Sequence, residues 1–108
     1  MAEPPKKKGD SKTDVAVQER PQTERARRYA VIFHNDDYTT REFVVHVLMT
    51  YFDKTETEAT HVMLTVHYKG RGLAGVFTKD MAETKVDQVH RAAEASGFPL
   101  RLTVEPAD

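Results

Sequence analysis

From Tyr29 onward the chain alternates between two hydrophobic periods, and their order predicts a small α+β fold. Tyr29-Ala30-Val31-Ile32-Phe33 is a short apolar run rich in β-formers and reads as a strand. Thr39-Thr40-Arg41-Glu42 then offers a capping box, in which Thr39 and Glu42 would satisfy each other's exposed backbone donors. Val44, Val47, Leu48 and Tyr51 follow at helical spacing, so a helix is expected over residues 40–52. A second box, Thr55-Glu56-Thr57-Glu58, opens another helix. Its apolar stripe is Ala59, Val62, Met63 and Val66, and Gly70 is placed to end it.

Gly72-Leu73-Ala74-Gly75-Val76-Phe77 predicts a second strand, whose two glycines suggest a bend or a close backbone approach. A third helix is expected over 79–95, with Ala82, Val86, Val89 and Ala93 on one face and Ser96-Gly97 as its stop. Pro99 starts the last strand, where Leu100, Leu102 and Val104 alternate with Arg101, Thr103 and Glu105. The order β-α-α-β-α-β folds most simply as a three-stranded antiparallel sheet with the three helices packed on one face.

Residues 1–28 follow a different rule. Pro4, Pro5 and Pro21 interrupt a run of Lys, Arg, Glu and Gln with only small apolar residues such as Val15 and Val17. That composition buries too little area to offset chain entropy, so a flexible leader is expected before a folded core at 29–108. The leader holds eight Lys/Arg and five Asp/Glu, a net +3, and the core holds eight and twelve, a net −4. A basic arm thus precedes an acidic domain, and the acidic balance argues against a core that binds nucleic acid.

Composition excludes several chemistries. With no cysteine, disulfides and Cys-based metal or nucleophile sites are ruled out. No apolar run approaches the roughly 20 residues that span a bilayer, and no apolar stretch follows Lys6-Lys7-Lys8 as a secretory signal would require. A cytoplasmic protein is expected. The histidines His34, His46, His61, His67 and His90 show no HExxH or other ligand spacing, so neither a metal nor a cofactor is expected. Of these, His46 reads as solvated and His90, beside Val89, as uninformative. There is no GxSxG and no phosphate-cradling glycine loop, which leaves an enzyme without a nucleophile.

What remains is Asn35-Asp36-Asp37-Tyr38-Thr39, at the junction of the first strand and first helix. One reading is a turn with capping carboxylates. The other sets these acceptors beside Met63, Val66 and His67 on the second helix, where a neutral imidazole accepts a hydrogen bond from an ammonium. His67 is equally consistent with a plain rim residue, and Met63 with ordinary core packing.

Asn35-Asp36-Asp37-Tyr38-Thr39 with Glu42-Phe43-Val44 resembles a signature of the ClpS adaptors of the bacterial Clp protease. So do Met63-Leu64 with Val66-His67-Tyr68, Gly75-Val76-Phe77-Thr78, and Ala82-Glu83-Thr84-Lys85-Val86. The resemblance implies a non-catalytic, monomeric adaptor. It would bind N-degron substrates through a free N-terminal Leu, Phe, Tyr or Trp and deliver them to a ClpA-type AAA+ unfoldase. It implies that Asn35, Asp36 and His67 hold the α-amino group. A side-chain pocket would be lined by Phe33, Thr39, Arg41, Val44, Met63, Val66 and Leu100. Docking to the unfoldase would use Asp80, Glu83, Thr84 and Lys85. Two positions depart from the family pattern. Arg41 stands where Met is common, a residue that guards the pocket against β-branched side chains, and His34 stands where an aliphatic residue is usual. An altered preference is therefore expected at the pocket. A ligand-free interaction module, or a nucleic-acid binder acting through the basic leader, are the rival readings.

Overall fold

Strand β1 runs Tyr29–His34 and sits in the middle of the sheet, which has the order β2-β1-β3 with both pairings antiparallel. The computed structural model describes residues 27–107. Most of the expected leader, residues 1–26, lies outside the described residues. Its last residue does not belong to a free arm, because the Ala107 N–H donates to the Arg28 carbonyl at 2.9 Å and continues the β1–β3 ladder.

The elements follow the hydrophobic pattern closely. Helix α1 spans Arg41–Phe52, α2 Glu56–Lys69 and α3 Lys79–Ser96, with β2 at Arg71–Phe77 and β3 at Arg101–Pro106. Pro99 and Leu100 precede β3 rather than open it. The inward side chains of β1, Val31 and Phe33, are fully buried against Val47 and Leu48 of α1 and Val89 of α3. Phe33 meets Phe52 edge-on, with ring centroids 5.6 Å apart. Such a T-shaped pair contributes roughly 0.5–1.5 kcal/mol beyond its buried area.

The second capping box forms as expected. Thr55 accepts from the Glu58 N–H, and Glu58 accepts from the Thr55 N–H at 2.9 Å. The first does not. Thr40, not Thr39, caps α1 by accepting from the Phe43 N–H at 3.1 Å. Thr39 gives its hydroxyl proton to Asp36 instead, and a bond to a carboxylate is stronger than one between neutral groups. The third residue of the true cap is Phe43, which has no acceptor, so no box can close there.

Two glycines place the site. Gly70 ends α2 in the left-handed region at φ 90°, and its carbonyl accepts from the Asn35 N–H at 3.0 Å. The end of α2 is thereby tied to the loop leaving β1. A Cβ on Gly72 would lie 2.8 Å from Val66 Cγ2, so β2 passes α2 at a distance only glycine permits. Ala74 is the extra residue of a bulge opposite Val31 and Ile32.

Candidate functional site

A cavity of about 440 Å³ opens between the loop after β1, the first turn of α1 and the last turns of α2. The helical hairpin explains why these segments meet. Residues 53–55 turn α1 back on α2, so the start of one helix lies beside the end of the other.

Asp36 organises the loop. Its Oδ1 accepts from the N–H of Tyr38 at 2.8 Å and of Thr39 at 2.7 Å, and its Oδ2 accepts from Thr39 Oγ1 at 2.8 Å. Burial pushes this carboxyl up. The bonds from Thr39 and Tyr38 outweigh that and hold it below the ordinary carboxylate range. Three of about four acceptor positions are filled, which leaves room on Oδ2 for one more donor. Asn35 beside it is exposed, with its backbone N–H already given to Gly70.

Eight of the sequence-predicted residues come together here. Asn35, Asp36 and His67 form a polar side, while Thr39, Val44, Met63 and Val66 form the wall, with Arg41 across the opening. Val44 and Val66 are also part of the core, so the wall is fixed by packing. Phe33 and Leu100 do not line the cavity. Phe33 is completely buried under the sheet and Leu100 is 5% exposed; both belong to the core behind the wall. Asp37, Tyr38, Thr40 and Glu42 add to the lining, although the sequence reading gave them no part in the pocket.

One contact was missed outright. Arg41 Nη2 lies 2.8 Å from His67 Nε2. The spacing alone does not pair residues 41 and 67, although an antiparallel hairpin of two helices of similar length would have done so.

On α3, Asp80, Glu83 and Thr84 are exposed, but Lys85 is half-buried. Its Nζ donates to the Tyr51 carbonyl at 2.7 Å and lies over the Phe52 and Phe77 rings. α1 has no basic residue in its own last turn, so Lys85 supplies the cation that the helix end favours. His90 is not the idle residue expected from sequence. Its Nε2 accepts from the Leu102 N–H at 3.0 Å and ties α3 to β3. Among the described residues no cluster of three His, Cys, Asp or Glu side chains offers a metal site, and no helix is long and apolar enough to cross a membrane.

Comparison with known proteins identifies the family. The sequence model described as "ATP-dependent Clp protease adaptor protein ClpS" matches residues 24–103. The chain belongs to the ClpS family. The ClpS adapter of Desulfatibacillum aliphaticivorans is 53% identical over 93 residues, covering 86% of this chain and 89% of its own. That of Myxococcus xanthus is 56% identical over 80 residues, covering 74% and 75%. Among solved structures, Agrobacterium tumefaciens ClpS2 bound to L-phenylalaninamide superposes with a TM-score of 0.74 at 41% identity. That match covers 76% of this chain and 99% of the other. As a ClpS protein the chain is an adaptor of the Clp protease rather than an enzyme.

Proposed function

We propose that this adaptor holds the free N-terminus of a substrate protein, with the α-amino group at Asn35, Asp36 and His67 and the first side chain in the cavity beside them. The observation that carries the reading is the meeting of those polar groups with an apolar wall of Val44, Met63 and Val66. The ligand of the Agrobacterium relative supports it, since L-phenylalaninamide is a free amine with a bulky side chain and an amide where a peptide would continue.

An α-amino group has a pKa near 8 and is mostly ammonium at neutral pH, with three protons to place. Hydrogen bonds to charged groups contribute roughly 1.5–3 kcal/mol each, and burial of a Leu or Phe side chain about as much again. Less the cost of association, the balance corresponds to an affinity around micromolar. Bulky first residues, Leu, Phe, Tyr and Trp, fill such a cavity best.

The substrate would then pass, in the cytoplasm, to a ClpA-type AAA+ unfoldase. Asp80, Glu83 and Thr84 form an exposed polar surface on α3 suited to that contact, with Lys85 at its inner edge. Titration with a labelled Phe-first peptide and its N-acetylated form tests the binding step. Acetylation removes the charge and leaves the polar groups without their donor, so the free peptide should bind at least tenfold more tightly. Equal affinities would refute the assignment.

A further inference from the structure

We propose that Arg41 is an internal competitor for the substrate's ammonium, which makes it a determinant of how tightly this adaptor holds any N-terminus. The proposal rests on the N-terminal-residue reading of the cavity and adds a residue that works against binding.

Arg41 Nη2 and His67 Nε2 are 2.8 Å apart. A guanidinium has donors only and stays protonated, so Nε2 is the acceptor and the ring is neutral. An imidazole nitrogen in that form offers a single lone pair in the ring plane. An ammonium seated at His67 needs that same lone pair. The two cations therefore exclude each other, and Arg41 has to leave before His67 can engage a substrate.

The structure also provides a place for the arm to go. Arg41 and Met63 line a second cavity of about 510 Å³ beside the first. Glu42 and Glu56 line it too and present carboxylates to a guanidinium, while Val45 and Met49 offer apolar surface to its stem. Arg41 thus holds His67 on one side and borders an acidic-rimmed cavity on the other. Turned one way it closes the amine position; turned the other it clears it.

Peptide affinities for the unaltered protein, Arg41→Ala and Arg41→Met decide the matter, read alongside nitrogen NMR of the His67 ring. Both variants should bind a Phe-first peptide roughly two- to tenfold more tightly, the net worth of one ordinary hydrogen bond weakened by solvent exposure. The acetylated peptide should gain nothing. The His67 Nε2 resonance should shift on Arg41→Ala in the absence of peptide, because its donor is gone. If the unaltered protein prefers the free peptide but the variants bind it no better or worse, Arg41 is only a wall, and the competitor is overturned while the site stands. If no version separates free from acetylated peptide, the amine site itself is wrong and the competitor falls with it.

Discussion

Thr39 donates twice to the carboxylate of Asp36, through its N–H at 2.7 Å and through its hydroxyl at 2.8 Å. Asp36 is therefore a scaffold for its own loop, apart from the amine-holding role proposed for it. Asp36→Ala leaves the two N–H groups and the Thr39 hydroxyl without that acceptor. Stability should fall by about 1–2 kcal/mol, given that water replaces part of what is lost. Binding of a Phe-first peptide should weaken at least tenfold. Thr39→Val, which removes one bond and keeps the shape, should cost less on both counts. Urea denaturation and peptide titration measure the two effects; a Thr39→Val protein as damaged as Asp36→Ala would remove the carboxylate from its central role.

The same bonds set an acid limit. In the folded protein Asp36 stays ionised below its ordinary 3.8. Its contribution is complete above that value and is lost as pH falls through the lower folded one. His34 loses stability in a higher window. Burial holds its ring below the ordinary 6.5, as do the guanidiniums of Arg101 and Arg71, against the opposing pull of Glu105. The folded state resists the proton that the unfolded chain accepts, so stability is intact above 6.5 and declines as pH drops beneath it. The urea midpoint should show two descending regions. His34→Gln should flatten the upper region, and a profile unchanged by that substitution would contradict the assignment.

Gly72 connects the sheet to the site. A methyl group there would press on Val66, which lines the cavity and belongs to the core. The nearest atom is a branched side chain fixed by packing, so relief requires α2 or β2 to shift. Gly72→Ala should cost about 1–3 kcal/mol and also weaken peptide binding. Gly72→Ala with Val66→Ala should recover part of the stability, because the obstructing methyl is gone. A double variant no more stable than Gly72→Ala alone would mean that the clash lies elsewhere.

Lys85 shows why docking and folding need to be measured separately. Its ammonium is the donor to the Tyr51 carbonyl at the end of α1. Lys85→Met keeps the stem over Phe52 and Phe77 and removes the charge. A loss of about 1–2 kcal/mol is expected, whereas Glu83→Gln and Thr84→Ala, on the exposed side, should stay within about 0.5 kcal/mol. Thermal unfolding of the three variants checks this, and equal melting points would show that the Tyr51 contact contributes nothing. Weaker coupling to an unfoldase in the Glu83 and Thr84 variants would then support the docking role proposed for this face, apart from any effect on folding.

The strands, helices and stops were legible because each rests on a local rule. Val44, Val47 and Leu48 keep the helical period, Gly70 and Gly97 end helices, and the Thr55–Glu58 box closes within four residues. Errors arose where a side chain had two possible partners. Thr39 stands where either a helix end or Asp36 can take its hydroxyl, and only the folded loop shows that the carboxylate wins. Phe33 and Leu100 are apolar and lie near the site in sequence logic, yet depth decides between wall and core, and depth is a property of packing. The bonds from Arg41 to His67 and from Leu102 to His90 join residues far apart along the chain. No periodicity carries such pairings.

The charge state of the substrate provides the last test, because its amine loses a proton in the accessible pH range. As pH rises past about 8 an N-terminal ammonium loses its proton, while a guanidinium stays charged. The amine becomes a poorer donor just as its rival at His67 is unaffected. Affinity for a Phe-first peptide should therefore fall by roughly tenfold for each pH unit above the amine pKa. The acetylated peptide, with no proton to lose, should give a flat line. Arg41→Ala should follow the same slope at tighter absolute affinity, since removing the competitor changes the reference but not the titrating group. Affinity measured from pH 7 to 9.5 separates these cases. A flat profile for the free peptide would mean that no charged amine is being held.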